Sequence, residues 1–103
     1  MKTRSKRIAL KEVLRKELKD SEFHFYFERE KAISEIARLV REARQKASLT
    51  QAALAKRAKT SQTVIARLET GMDERIPSLE LLERIAQALK ARLMVSFKYK
   101  AAA

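Results

Sequence analysis

The sequence contains no cysteine and no tryptophan, and only one glycine, one proline and one histidine among 103 residues. Without cysteine there is no disulfide framework and no thiolate metal site. One histidine cannot build a multi-histidine metal centre, and one glycine cannot furnish a glycine-rich phosphate loop. No apolar run approaches the roughly 18 residues needed to span a bilayer. The lysines and arginines near the start are not followed by the apolar stretch of a secretory signal. The expected setting is the cytoplasm, away from membranes, and the lack of cysteine agrees with it. A chain of this length holds one domain plus appendages. It buries about 60 to 65% of its unfolded surface, which leaves room for a small core but not for a deep catalytic cleft. No acid, base or nucleophile constellation stands out, so neither an enzyme nor a bound cofactor or metal is expected.

What is abundant is positive charge: 24 Lys and Arg against 13 Asp and Glu, a formal charge of +11 and a pI near 10.4. A polyanion, nucleic acid first, is the natural partner. The excess is uneven. Residues 1–20 carry 8 basic and 3 acidic side chains and residues 49–71 carry 4 and 1, whereas residues 21–48 are nearly balanced with 6 and 5.

Gly71 and Pro77 are the only strong breakers, so residues 1–70 should be almost entirely helical. Ile8, Leu10, Val13, Leu14 and Leu18 recur at helical spacing, which predicts an amphipathic helix ending near Asp20, with Asp20 or Ser21 capping the next. Phe23, Tyr26 and Phe27 run on into Ile33, Ile36, Ala37, Val40 and Ala47 as an apolar stripe. Thr50, between Leu49 and Leu54, reads as an N-cap with a hydrophobic staple, opening a helix over residues 51–58. Ser61 caps a further helix that Gly71 stops, and Ser78 caps one carrying Leu79, Leu82, Ile85, Ala86 and Leu89. From Leu93 the period changes to two, with Leu93, Val95, Phe97 and Tyr99 alternating with Met94, Ser96, Lys98 and Lys100. One strand has no partner within its own chain, so it is expected to pair with another. Its twin across a two-fold axis is the expected partner, with Leu93, Met94, Val95 and Phe97 as the dimer interface, and the sheet edge of a partner protein is the alternative. The terminal Ala101, Ala102 and Ala103 read as a frayed end.

Two short helices separated by three polar residues have the spacing of a helix-turn-helix, whose second helix enters the major groove. That second helix divides into two faces at about 100° per residue. Val64, Ile65 and Leu68 form an apolar side. Gln62, Thr63, Ala66 and Arg67 form the other, and they are side chains suited to base edges: Gln to adenine, Arg to guanine, Thr or Ala to a thymine methyl. Gln51, at the start of the preceding helix, is placed to clamp a phosphate and set register.

The string Leu49-Thr50-Gln51, Leu54-Ala55, Ser61-Gln62 and Ile65-Ala66-Arg67-Leu68-Glu69-Thr70-Gly71 resembles the XRE family of phage-repressor-like domains over about residues 33–90. The resemblance implies an all-α, five-helix domain that binds double-stranded operator DNA as a homodimer. It assigns Gln51, Ser61, Gln62, Thr63 and Arg67 to DNA-contact positions and Arg44 with Glu69 to a structural ion pair. Lys59 stands where the family usually has a turn glycine and Thr60 where a buried aliphatic is common. The turn is therefore distorted, or Lys59 adds a phosphate contact, and both are counted with the DNA-binding residues.

A narrower resemblance adds Leu18-Lys19-Asp20-Ser21-Glu22-Phe23, Ile36, Ala43-Arg44, Pro77-Ser78-Leu79 and the terminal strand. It is to HigA-type antitoxins, repressors that also neutralise a RelE/HigB-type mRNA-cleaving toxin. Such toxins are basic, so Glu12, Glu17, Asp20, Glu22, Glu28 and Glu30 would have to face the partner. The expected organisation is a basic arm and helical extension over residues 1–30, the DNA-binding domain over 31–91 and the strand over 92–100.

Other features invite less. His24, among Phe23, Phe25, Tyr26 and Phe27, reads as a packed or surface residue. The aromatic run suits core packing or a partner better than base stacking. Lys2, Arg4, Lys6 and Arg7 read as a solvated tail, with tracking of phosphates as the alternative. Glu80 and Glu83 beside Arg84 read as solvated charges. A regulator with no toxin partner and an RNA-associated helical protein remain the rival readings.

Overall fold

A computed structural model describes residues 2–72 and 75–100, with side chains described from residue 9 onward. The expected frayed end at Ala101–Ala103 and the side chains of Lys2, Arg4, Lys6, Arg7 and Ile8 lie outside what is described. The described residues form four helices: α1 (Lys2–Lys46), α2 (Gln51–Arg57), α3 (Gln62–Thr70) and α4 (Leu79–Ala88). The architecture is all-helical. The domain expected to hold five helices holds four among the described residues, the end of α1 with α2, α3 and α4, since no helix follows α4 in residues 91–100. The extension, expected as a separate helix ending near Asp20, is continuous with the first domain helix. Asp20 and Ser21 are competent caps, yet a cap residue inside a helix costs only a few tenths of a kcal/mol, and no Gly or Pro forces a break before residue 46.

The fold divides into two units, residues 1–33 and 34–103. The described part of the first is helical throughout. Its described large apolar side chains before Ile33 are exposed: Leu10, Val13, Leu14, Leu18, Phe23, Phe25, Tyr26 and Phe27 all lie on the surface. The stripe expected to bury Phe23, Tyr26 and Phe27 together with Ile33, Ala37 and Val40 is therefore buried only from Ile33 onward, and Ala47 at its far end is exposed. Phe23 and Phe27 stack on each other at 6.3 Å, and Lys31 Nζ lies 5.5 Å from the Phe27 ring centroid.

The second unit holds the core: Val40, Leu54, Ala55, Ala58, Ile65, Leu68 and Ile85, with Ile36, Leu81, Ala88 and Leu89 packed against it. Leu54 and Ile65 are fully buried, each worth about 1.5 to 3 kcal/mol in area removed from water. Their positions follow from well-marked helix starts. The hydroxyls of Thr50, Ser61 and Ser78 accept from the backbone N–H of Ala53 (3.0 Å), Val64 (3.2 Å) and Leu81 (3.1 Å). Each bond satisfies one of the free donors of a first helical turn.

The C-termini are handled differently. Gly71 takes the left-handed conformation at φ 67°, but Ser48, Lys59 and Lys90 also adopt φ 56°. A chain with one glycine must end its other helices with L-residues in that region, at a cost of about 1 to 2 kcal/mol each. After α4, Ala91 N–H reaches back to Ala86 O at 2.8 Å, and residues 91–100 have no regular structure. The expected C-terminal strand is thus not formed, and there is no strand among the described residues. A strand requires a ladder, and no second strand lies among the described residues to complete one. Met94, Val95, Phe97 and Tyr99 are left exposed.

Candidate nucleic-acid interface

The α2–turn–α3 segment is built on backbone geometry that fixes α3. After the Ala58 cap, Lys59 N–H donates to Lys56 O at 3.3 Å and Thr60 N–H to Ala55 O at 2.9 Å. The turn is closed rather than distorted, and Lys59 supplies the positive φ that a glycine would otherwise provide. Its carbonyl accepts from Arg84 Nη1 at 3.3 Å, so α4 braces the turn. Arg84 is half-buried and its Nε has no partner. Glu80 and Glu83 are exposed as expected, whereas Arg84 beside them reaches the Lys59 carbonyl.

α3 is two-faced. Ile65 and Leu68 are buried against α2, Gln62, Thr63 and Arg67 are exposed, and Ala66 is half-buried between them. Val64, expected on the packed side, is 37% exposed because it sits at the rim of the apolar arc. Ser61 and Lys59 are exposed at the N-terminal end of α3 and Thr60 is half-buried. At the other end the Thr70 hydroxyl donates to Arg67 O at 2.7 Å and accepts from Met72 N–H at 3.2 Å, closing the last turn.

Beneath this surface lies one polar network. Glu69, 4% exposed, accepts a bidentate pair from Arg44: Nε to Oε2 at 2.7 Å and Nη2 to Oε1 at 2.9 Å. Arg44 Nη1 continues to Leu49 O at 2.8 Å, which ties the end of α1 to the residue before the α2 cap. The hydrogen bond to Glu69, reinforced by its charge and opposed by burial, holds the Arg44 guanidinium above its ordinary pKa. Gln51 Nε2 donates to Glu69 Oε1 at 3.3 Å, so the amide assigned to a phosphate is also held from behind. Arg41 Nη1 donates to Glu69 O at 3.1 Å, at the C-terminal end of α3. Arg41 and Arg84 were not singled out by sequence, since an arginine on an amphipathic helix gives no sign of which distant carbonyl it meets.

A buried-backed helix offering an amide, a hydroxyl, a small residue and a guanidinium after a tight four-residue turn defines a DNA-reading helix-turn-helix. Residues 40–93 match the helix-turn-helix family, and the chain belongs to that family in its XRE form, a class of DNA-binding regulators. No curated protein and no solved structure matches the chain. Among the described residues no helix is long and apolar enough to cross a membrane.

Proposed function

We propose that the chain is a cytoplasmic autorepressor that reads operator DNA with α3 and serves as the antitoxin of a toxin–antitoxin pair. The carrying observation is the exposed face of Gln62, Thr63 and Arg67 around half-buried Ala66, locked by Ile65 and Leu68. Arg67 pairs with guanine O6 and N7, Gln62 with adenine N6 and N7, and Thr63 and Ala66 meet a thymine methyl. Ser61, Lys59 and Thr60 face phosphates, and Gln51 offers its second amide proton to one while Glu69 holds the first. The exposed Met94, Val95 and Phe97, with half-buried Leu93, support a homodimer joined through the C-terminal segment. Such a dimer reads half-sites about 10 bp apart or a multiple of that.

Arg67→Ala is expected to lose about 1 to 3 kcal/mol of preference for operator over scrambled duplex in a competition titration, with unchanged circular dichroism. A variant that discriminates as well as wild type would remove Arg67 from the reading face.

The antitoxin role rests on the narrower resemblance upstream and on the aromatic surface of Phe23 and Phe27, which DNA binding does not use. A RelE/HigB-type toxin docking there is neutralised. Phe23→Ser combined with Phe27→Ser should leave operator binding within about threefold, as neither position neutralises a phosphate. Protection of cells from the toxin encoded beside the gene should be lost. Full protection by this variant at matched expression would place the toxin elsewhere or remove it.

A further inference from the structure

The N-terminal half of α1 carries a second apolar stripe that neither the DNA face nor the aromatic stack uses. Leu10, Leu14, Leu18 and Phe25 fall within an arc of about 80° on one continuous helix. They are 60, 51, 67 and 63% exposed, an arrangement too ordered and too apolar to be a solvated face. Phe23 and Phe27 lie on the opposite side of the helix, so a protein docked on them leaves this stripe free.

We propose that this stripe pairs antiparallel with the same stripe of a second copy of the chain. Charge selects both the occupant and the direction. Residues 1–19 carry 8 basic and 2 acidic side chains, whereas residues 20–30 carry one basic and four acidic. A parallel pair would set basic against basic over the whole first half. An antiparallel pair sets the basic half of each copy against the acidic segment of the other. In the register that places Leu10 opposite Phe25 and Leu14 opposite Ser21, Leu18 of each copy lies beside the two-fold axis. Lys11, Arg15 and Glu22 lie along one edge of the stripe, and in antiparallel pairs like edges face each other. Glu22 of one copy therefore falls between Lys11 and Arg15 of the other, and the same set forms twice by symmetry. The paired stretch spans about four turns, so the association is weak and concentration-dependent. It is independent of the antitoxin reading and of the C-terminal contact.

The absence of native cysteine makes the test clean. Full-length Leu10→Cys and Phe25→Cys proteins are oxidised separately and as a mixture, without DNA or toxin, so the outcome leaves the proposed function standing either way. The mixture should yield the Leu10→Cys to Phe25→Cys disulfide, with at least tenfold less homodisulfide in either sample alone. Adding Glu22→Lys to both proteins should slow the mixed disulfide at least tenfold, and adding Lys11→Glu and Arg15→Glu as well should restore it. Efficient Leu10→Cys homodisulfide would show a parallel pair and overturn the proposal. Equal, low yields in all samples, or indifference to the charge changes, would overturn it as well.

Discussion

Replacing Arg44 with methionine is expected to lower the unfolding free energy by about 3 to 5 kcal/mol, the cost of leaving one member of a buried ion pair without its counter-charge. The side chain of Glu69 is 4% exposed and that of Arg44 15%, so water cannot take over the lost bonds. The substitution removes the bidentate contact, strips Leu49 O of its donor and frees the Gln51 amide from a carboxylate that has itself lost balance. Domains of this size are stable by about 5 to 15 kcal/mol in all, so urea denaturation should show a much earlier midpoint. Arg44→Met with Glu69→Leu should recover a large part of the loss, because an apolar pair of similar volume carries no unmatched charge. The raised Arg44 pKa has a definite sign. Its contribution is fully present below the unfolded-state value and fades only as pH rises through the folded one. Both values are strongly alkaline, so Arg44 adds no pH dependence around neutrality.

Ile65→Ala is expected to cost about 2 to 5 kcal/mol by transfer and cavity terms, since Ile65 is fully buried between α2 and α3. A domain of about 100 residues shifts its melting temperature by roughly 4 to 8 °C per kcal/mol, so a calorimetric fall of about 8 °C or more should follow. The contrast with Arg67, two residues on, is instructive. Arg67→Ala should lose sequence preference at constant stability, whereas Ile65→Ala should lose stability and weaken all DNA binding in proportion to the unfolded fraction. A melting temperature unchanged by Ile65→Ala would mean that α3 is not anchored by this core.

The helix starts were legible because an N-cap is written in one residue. Thr50, Ser61 and Ser78 are each followed by the apolar spacing they cap, and the two-faced character of α3 follows from period alone. The helix ends were not. Ser48, Lys59 and Lys90 carry left-handed conformations that their side chains do not advertise, and only Gly71 could be read in advance. The continuity of α1 escaped for a related reason: Asp20 and Ser21 permit a start without requiring one. The alternation of residues 93–99 showed which side chains share a face, but a strand exists only with a neighbour, and one chain does not supply it. Arg41 and Arg84 meet backbone oxygens 28 and 25 residues away, distances over which local pattern carries no information.

The central claim, that the exposed face of α3 reads bases in the major groove, is tested most directly by methylation interference on the bound operator, with wild type and Arg67→Ala compared in parallel. Methylation of guanine N7 at one position in each half-site should block wild-type binding. Arg67→Ala should become indifferent to methylation at that position while keeping every other interference signal. Identical interference patterns for the two proteins would contradict the account, because Arg67 would then touch no guanine and α3 would not be the reading helix in the orientation described.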